Sequence, residues 1–328
     1  MDFSLTGHQQ LVQETAQQLF TRECPPTLLR AHTDDPSAAD PLWRHLREFT
    51  ALADGPLTDL CLFLEQSGYV AAPGPFFATT ALFGSLLVAI GDEHAGATLD
   101  GEVTGTVALA GADGLWRVNG DATKTFVPEA DRVDWVAVVH EGPTVSLVAA
   151  PTVRPVQTLD KTRRFFEVDV DGGAGGRAVD AEVVEAFVAR ATVALSAEMV
   201  GTARRLFDMT LQYAKERIQF DVPIGSFQAI QHKLADMALD LERATSAVHF
   251  AAMTIDAKDA DRHRAVHVAK AAAGTAARRC ARDGIQIHGG IGYTYEHDLH
   301  LFIRRAYSSE AWFGTSDWHH DRLADLLF

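Results

Sequence analysis

Polar residues stand where a plain amphipathic helix has no use for them in the segment Tyr213 to Met237, YAKERIQFDVPIGSFQAIQHKLADM. Arg217 closes a helical run ahead of a loop that holds Pro223 and Gly225. A guanidinium there can fork onto a pyrophosphate, a task its planar bidentate geometry suits better than an ammonium. Phe220 and Phe227 flank the loop and can sandwich a nucleobase, while Gln228 and Gln231 offer amides to ribose or base edges. The second segment is Gln286 to Tyr293, QIHGGIGY. Its glycines Gly289 and Gly290 let a ligand approach the backbone with no Cβ in the way and leave N–H groups for an anion, to which Gln286 can also donate. Taken singly, each segment has a plainer reading, since a glycine pair at a helix end also serves as a C-cap. Other candidates are weaker. His263 and His267 stand at i, i+4, and His297, His300, His319 and His320 add imidazoles, but no carboxylate or cysteine joins them at a diagnostic spacing, so exposed or capping roles are expected and no metal site. The pairs Arg204-Arg205, Arg278-Arg279 and Arg304-Arg305 read as ion-pair donors between helices or subunits, with one of them near a phosphate as a further option.

Three kinds of element must position these groups. Residues 1 to about 95 read as helical, with Leu5, Leu11, Val12, Thr15, Leu19 and then Leu57, Leu60 and Leu64 at three-to-four spacing, loops from Cys24 to Pro41, and a buried helix over Phe76 to Ile90. From Glu102 to about Asp171 the pattern changes to short β-rich runs, TVALA, LWRV, WVAVV, VSLVAA and FEVDV, broken by turns such as Asn119-Gly120. The run Gly172-Gly173-Ala174-Gly175-Gly176 marks a boundary. Helical period then returns, with Asp180 as N-cap and Val184, Phe187, Val188, Ala191 and Leu195 on one face. A second helix follows Gly225 with Phe227, Ile230, Leu234, Met237 and Leu241 facing inward, a third runs from Arg262 to His288, a fourth from Glu296 to Ser309, and a short fifth follows Gly314-Thr315-Ser316. The expected fold is α+β, mostly α: an N-terminal helical domain (1–98), a small middle β-barrel or sandwich (99–178) and a C-terminal four-helix bundle (179–328).

Composition narrows the function. The 328 residues are 47% apolar and carry 29 basic against 44 acidic side chains, a formal charge of -15 that repels phosphate backbones and speaks against nucleic-acid binding. The three cysteines, Cys24, Cys61 and Cys280, are far apart and odd in number, which fits a reducing compartment. The N-terminus lacks the basic-then-apolar pattern of a signal peptide, and no apolar run approaches ~20 residues. A cytoplasmic protein without a membrane segment is expected.

Arriving in order, R-x-Q-F-x-x-P-I-x-x-F-Q-x-x-Q and then Q-x-x-G-G-x-G-Y closely resemble the acyl-CoA dehydrogenase family, and the helix–β–helix organisation extends the resemblance over the whole chain. Family members oxidise the Cα–Cβ bond of an acyl-CoA, with FAD taking the β-hydride and a glutamate the α-proton. The resemblance implies that Arg217, Gln219, Phe220, Ile224, Phe227, Gln228, Gln286, Gly289 and Gly290 hold the ADP part of FAD, which in the family lies mainly in the neighbouring subunit.

The chain departs from the pattern on the redox side. The family's glutamate precedes a Gly-Thr pair; here Trp312-Phe313-Gly314-Thr315 puts Phe313 at that position. The alternative position, ten residues before Gly201, holds Ala191. Glu310 and Asp317 are the nearest carboxylates and read as solvated helix-end charges. The family's T-E-P-x-x-G-S-D loop is absent from TVALAGADGLWRVNG, and the strand that reads K-x-W-I-T in the family is Lys124-Thr125-Phe126-Val127-Pro128, whose proline offers neither hydroxyl nor N–H to the flavin. The resemblance is therefore to the degenerate, non-catalytic subunit of actinobacterial α2β2 heterotetramers that act on steroid side-chain thioesters, lending an ADP half-site to a homologous catalytic partner that binds most of the acyl-CoA. Two other classes stay open: a self-sufficient flavoenzyme of the same fold, either a dehydrogenase with a relocated base or a flavin monooxygenase, and a scaffold that has lost FAD.

Overall fold

A computed structural model describes residues 4–149, 151–170 and 176–328. The chain opens with helices α1 (Gly7–Glu23), α2 (Pro26–Asp34), α3 (Asp40–Leu46) and α4 (Leu57–Tyr69). A π-helical segment, Phe77–Gly84, runs into α5 (Ser85–Ile90), and α6 (Ala95–Leu99) follows. The capping box of α1 is complete, with the Thr6 hydroxyl accepting from the Gln9 N–H and the Gln9 amide reaching back. Helices α2 and α3 replace much of the loop expected from Cys24 to Pro41. Pro26 stands at the first position of α2, where its missing N–H costs no helical hydrogen bond, so the proline pair starts a helix rather than breaking one.

The middle strands are β1 (Gly105–Ala108), β2 (Thr123–Pro128), β3 (Trp135–His140), β4 (Thr144–Ala149), β5 (Val153–Val156), β6 (Phe165–Asp169) and β7 (Arg177–Ala178). They form two sheets, ordered β1-β3-β4-β7 and β2-β6-β5, antiparallel except for β1 against β3. Strand β3 is apolar from Trp135 to Val139 because both of its faces are covered: Val136 and Val138 pack with Val127, Phe166 and Val168 of the other sheet, and Ala137 and Val139 join the core shared with the helices. The expected strand LWRV does not form. Those residues make bends, and Trp116 turns into the core instead. Of the Gly172–Gly176 run, only Gly176 lies within the described residues.

The bundle consists of α7 (Ala181–Glu216), α8 (Gln228–Asp256), α9 (Arg262–His288), α10 (Leu299–Ala311) and α11 (Ser316–Leu327), with a two-stranded hairpin, β8 (Ile218–Gln219) and β9 (Val222–Pro223), between α7 and α8. Val184, Phe187, Ala191 and Leu195 are buried on α7, and Met237 and Leu241 on α8, while Phe227 stays 39% exposed as the residue preceding α8. Asp180 occupies the N-cap of α7 but its side chain makes no capping bond. Helix α4 lies directly on α7. A Cβ on Gly68 would sit 1.9 Å from the Glu198 carbonyl oxygen, and one on Gly201 would sit 1.8 Å from that of Glu65, so the two backbones touch where no side chain fits. Among the described residues no helix is long and apolar enough to cross a membrane.

Candidate cofactor grip and the closed base position

Helix α7 ends as Arg217 takes extended geometry, its N–H donating to the Tyr213 carbonyl at 2.8 Å. The chain then reverses through the β8–β9 hairpin. Both turn residues, Phe220 and Asp221, have positive φ (55° and 63°), the left-handed geometry that a two-residue hairpin demands and that costs non-glycine residues energy. Phe220 is 88% exposed, held edge-on to Phe227 at 6.2 Å. The Ile224 N–H donates to the Arg217 carbonyl at 2.8 Å, and the Gln231 amide donates to the Gly225 carbonyl at 3.0 Å. Gln231 thus secures the loop, and Gln219 donates to its neighbour Ile218 at 2.8 Å. Arg217, Gln228 and Gln286 are exposed and face solvent.

The end of α9 meets this loop. Gly289 caps it with φ 63° and ψ -138°, a backbone that only glycine takes readily, and nothing lies within 4 Å of a Cβ built on Gly289 or Gly290. Tyr213 stacks on His288 with ring centroids 4.4 Å apart, which brings the end of α7 beside the end of α9. The two motifs are thus at one end of the bundle. An unpaired guanidinium, an exposed aromatic ring and a glycine pair with open space above it suit a nucleoside diphosphate.

The other half is built differently. Phe313 is buried, with its ring 4.0 Å from Trp116 and 4.5 Å from Trp312. Trp312 in turn meets Phe77 at 5.5 Å and Phe165 at 5.1 Å, and the Arg163 guanidinium lies over the Phe77 and Trp312 rings. Trp116 comes from the stretch where the family's flavin loop would be. Ala191, the other position expected for a base, is fully buried. Two cavities flank this aromatic plug. One, of about 390 Å³, lies between α7, α9 and α11 and is lined by Trp116, Val188, Val266, His267, Phe313 and His319. The other, of about 490 Å³, is lined by Phe126, Phe165, Trp312 and Thr315.

The loop carrying Phe313 is pinned through its backbone. Phe313 and Gly314 both have positive φ, 62° and 98°. Fully buried Lys270 donates to the carbonyls of Glu310 (2.9 Å) and Gly314 (2.7 Å), and burial pushes its pKa down to about 7. His319 Nε2 donates to the Phe313 carbonyl at 3.1 Å, and burial holds this imidazole down at about 3. Glu310, expected as a solvated charge, is buried: its carboxylate accepts from the Ser316 N–H at 2.9 Å, because the closure of the loop needs that acceptor inside. Asp317 is 81% exposed.

The sequence did not single out the buried ion cluster beneath this site. Arg305, fully enclosed, donates to Asp160 (2.9 Å) and Glu198 (2.9 Å), and Arg163 pairs with the other oxygen of Glu198. It joins the α4 end, through the Ala71 and Ala72 carbonyls, to the loop before β6 and to α7 and α10. The available signal was Glu198, a lone acid inside the apolar run ALSAEMVGTA. Of the other arginines expected as ion-pair donors, Arg204 pairs with Glu242, Arg278 with Glu310 and Asp317, and Arg279 with Asp240, whereas Arg205 lies over Tyr69 and Phe302 and Arg304 over Tyr295. His267 Nδ1 lies 2.8 Å from His319 Nδ1, and among the described residues no group of three His, Cys, Asp or Glu side chains is placed to hold a metal ion.

Residues 181–328 match the family model described as acyl-CoA dehydrogenase, C-terminal domain. Acyl-CoA dehydrogenase IpdE2 of Mycobacterium tuberculosis is 30% identical over 312 residues, covering 92% of this chain and 91% of the relative. The chain belongs to the acyl-CoA dehydrogenase family. FAD is the cofactor of that family, and its reaction is oxidation at a CH–CH bond. Among solved structures, the ChsE4–ChsE5 complex from Mycobacterium tuberculosis is similar over 100% of this chain and 99% of that chain (TM-score 0.88, 24% identity). The Tcur3481–Tcur3483 steroid acyl-CoA dehydrogenase is similar over 98% and 97% (TM-score 0.86, 25% identity).

Proposed function

We propose that this acyl-CoA dehydrogenase chain is the non-catalytic subunit of a heteromeric enzyme and supplies the ADP half of an FAD site to a homologous catalytic partner, in an α2β2 assembly of cytoplasmic location. One observation carries the reading: the grip around Arg217 and Gly289 is open and unengaged, whereas Phe313 and Trp116 fill the place where a base would work. Arg217 would fork onto the pyrophosphate, Phe220 and Phe227 would hold the adenine, and Gln219, Ile224, Gln228, Gln286 and the glycine pair would complete the cradle. The bound cofactor supplies hydride acceptance. This chain's own residues bind and orient it, and proton removal falls to a carboxylate of the partner. The similarity to ChsE4–ChsE5 and to a steroid enzyme built of two chains supports a partner and a bulky steroid side-chain thioester as substrate. We place domain limits at 98 and 178, close to the change from helices to strands and back.

A second reading has one observation behind it. The apolar cavity of about 490 Å³ beside Phe126 and Trp312 leaves space on the flavin side, as a self-sufficient flavoenzyme would need. Flavin stoichiometry separates the two. The chain purified alone should bind FAD poorly and turn over no acyl-CoA, and co-expression with its partner should give half a flavin per chain. One flavin per chain with turnover or oxygen consumption in the isolated chain would overturn the half-site.

A further inference from the structure

The cavity of about 390 Å³ between α7, α9 and α11 has a hydrogen-bond polarity that can be read from its deepest end outward. The Phe313 carbonyl can only accept, so the proton shared across 3.1 Å sits on His319 Nε2. His319 is neutral because burial disfavours its charge, so its Nδ1 carries a lone pair. The 2.8 Å contact then requires His267 to donate from its own Nδ1. His267, also held neutral by burial, is left with a bare Nε2 acceptor, which makes no hydrogen bond, in a cavity it lines. The Thr192 hydroxyl on the same wall is already spent as a donor, bonding to the Val188 carbonyl at 2.7 Å, and it too offers only lone pairs. The Trp116 ring also lines the cavity, but its indole nitrogen is buried away from it and adds no donor there. Val188, Val266 and Phe313 supply apolar wall, and Glu185, His263 and exposed Arg117, which pairs with Asp113, also line the cavity.

We infer that this cavity binds an apolar molecule bearing a hydroxyl group, which donates to His267 Nε2. A hydroxyl both donates and accepts; an ether, ester or thioester only accepts and leaves the imidazole unpaired, and a carboxylate requires His267 to take up a proton against its burial. This inference stands apart from the half-site reading, since it concerns a cavity that the cofactor grip does not share.

The test titrates the full chain, alone and with its partner, with 2-naphthol, 2-methoxynaphthalene and 2-naphthoate, following fluorescence and, by calorimetry in two buffers, proton uptake. The naphthol should bind roughly five- to tenfold more tightly than the methyl ether, the value of one net neutral hydrogen bond. His267→Phe should bring the two to equal affinity, and Val188→Trp, which fills the cavity from α7, should abolish both. Equal affinities in the unmodified protein, no binding of the naphthol, or preferred binding of the naphthoate with proton uptake would each overturn the assignment.

Discussion

Replacing Arg305 with methionine should destabilise the protein more than any surface ion pair can, and the structure sets the size of the effect. Two guanidinium groups, Arg305 and Arg163, face two carboxylates, Asp160 and Glu198, and all four side chains are 6% exposed or less. Methionine approximates the volume of the arginine stem and removes its charge, so one carboxylate is left buried without compensation. Breaking a buried pair in this way costs about 3–5 kcal/mol, mostly as the penalty on the abandoned partner. At about 2.1 cal/mol/K of unfolding entropy per residue, a chain of 328 residues moves roughly 1.5 °C per kcal/mol, so the expected fall in Tm is ~4–7 °C. The comparison is Arg154→Ala. Arg154 pairs with Glu167 and Asp169 on the β-layer surface, all about half exposed, and its loss should leave stability close to the parent's. Adding Asp160→Asn to Arg305→Met removes the excess negative charge and should recover part of the loss. Scanning calorimetry and urea unfolding of the three variants decide the matter. An Arg305→Met protein that melts within 1 °C of its parent, or an Arg154→Ala protein that loses as much, refutes the reasoning.

Three further outcomes follow from the same geometry. His319 and His32 are pushed down by burial to about 3 and about 4, whereas an unfolded histidine titrates near 6.5, so between these values the unfolded chain holds protons the folded one lacks. Stability should therefore fall as pH drops below ~6.5, by up to ~1.4 kcal/mol per pH unit for each group, and His319→Gln, which keeps a donor for Phe313, should remove one histidine's share of the slope of urea stability against pH; an unchanged slope counts against it. Arg217→Ala and Gln286→Ala lie on the surface and should leave the circular dichroism unaltered while weakening FAD binding in the co-purified complex by ~10- to 150-fold, the worth of a hydrogen bond to a charged group; undiminished affinity would remove them from the site. Gly201→Ala forces a methyl into the Glu65 carbonyl and should cost ~1–3 kcal/mol or more in urea unfolding, where parental stability would show that α4 and α7 can part freely.

Much of the bundle is readable where a helix buries one stripe, as α8 does at Met237, Leu241, Ala244 and Val248. Helix α9 runs from Arg262 to His288 as its spacing predicts, since Gly289 at φ 63° ends it. Helix α10 starts later than its pattern, at Leu299 rather than Glu296, because residues 294–298 form the turn that places Arg30 against Asp298. LWRV has strand composition but lies after Gly114 at φ 72°, and the burial gained by Trp116 against Phe313 outweighs pairing with a neighbouring strand. The grip was legible because its residues fall in two short, ordered motifs. The ion cluster was not: Arg305 finds its partners 145 and 107 residues away, and nothing local to any of them announces the others.

The frame around Phe313 is indifferent to the side chain it presents. Lys270 and His319 grasp only backbone carbonyls, at Glu310, Phe313 and Gly314, and Glu310 grasps a backbone N–H. Such a mount works like a socket whose shape is kept whatever is fitted into it. The backbone contacts alone therefore set no preference at position 313, and the choice of side chain is left to its packing against Trp116 and Trp312.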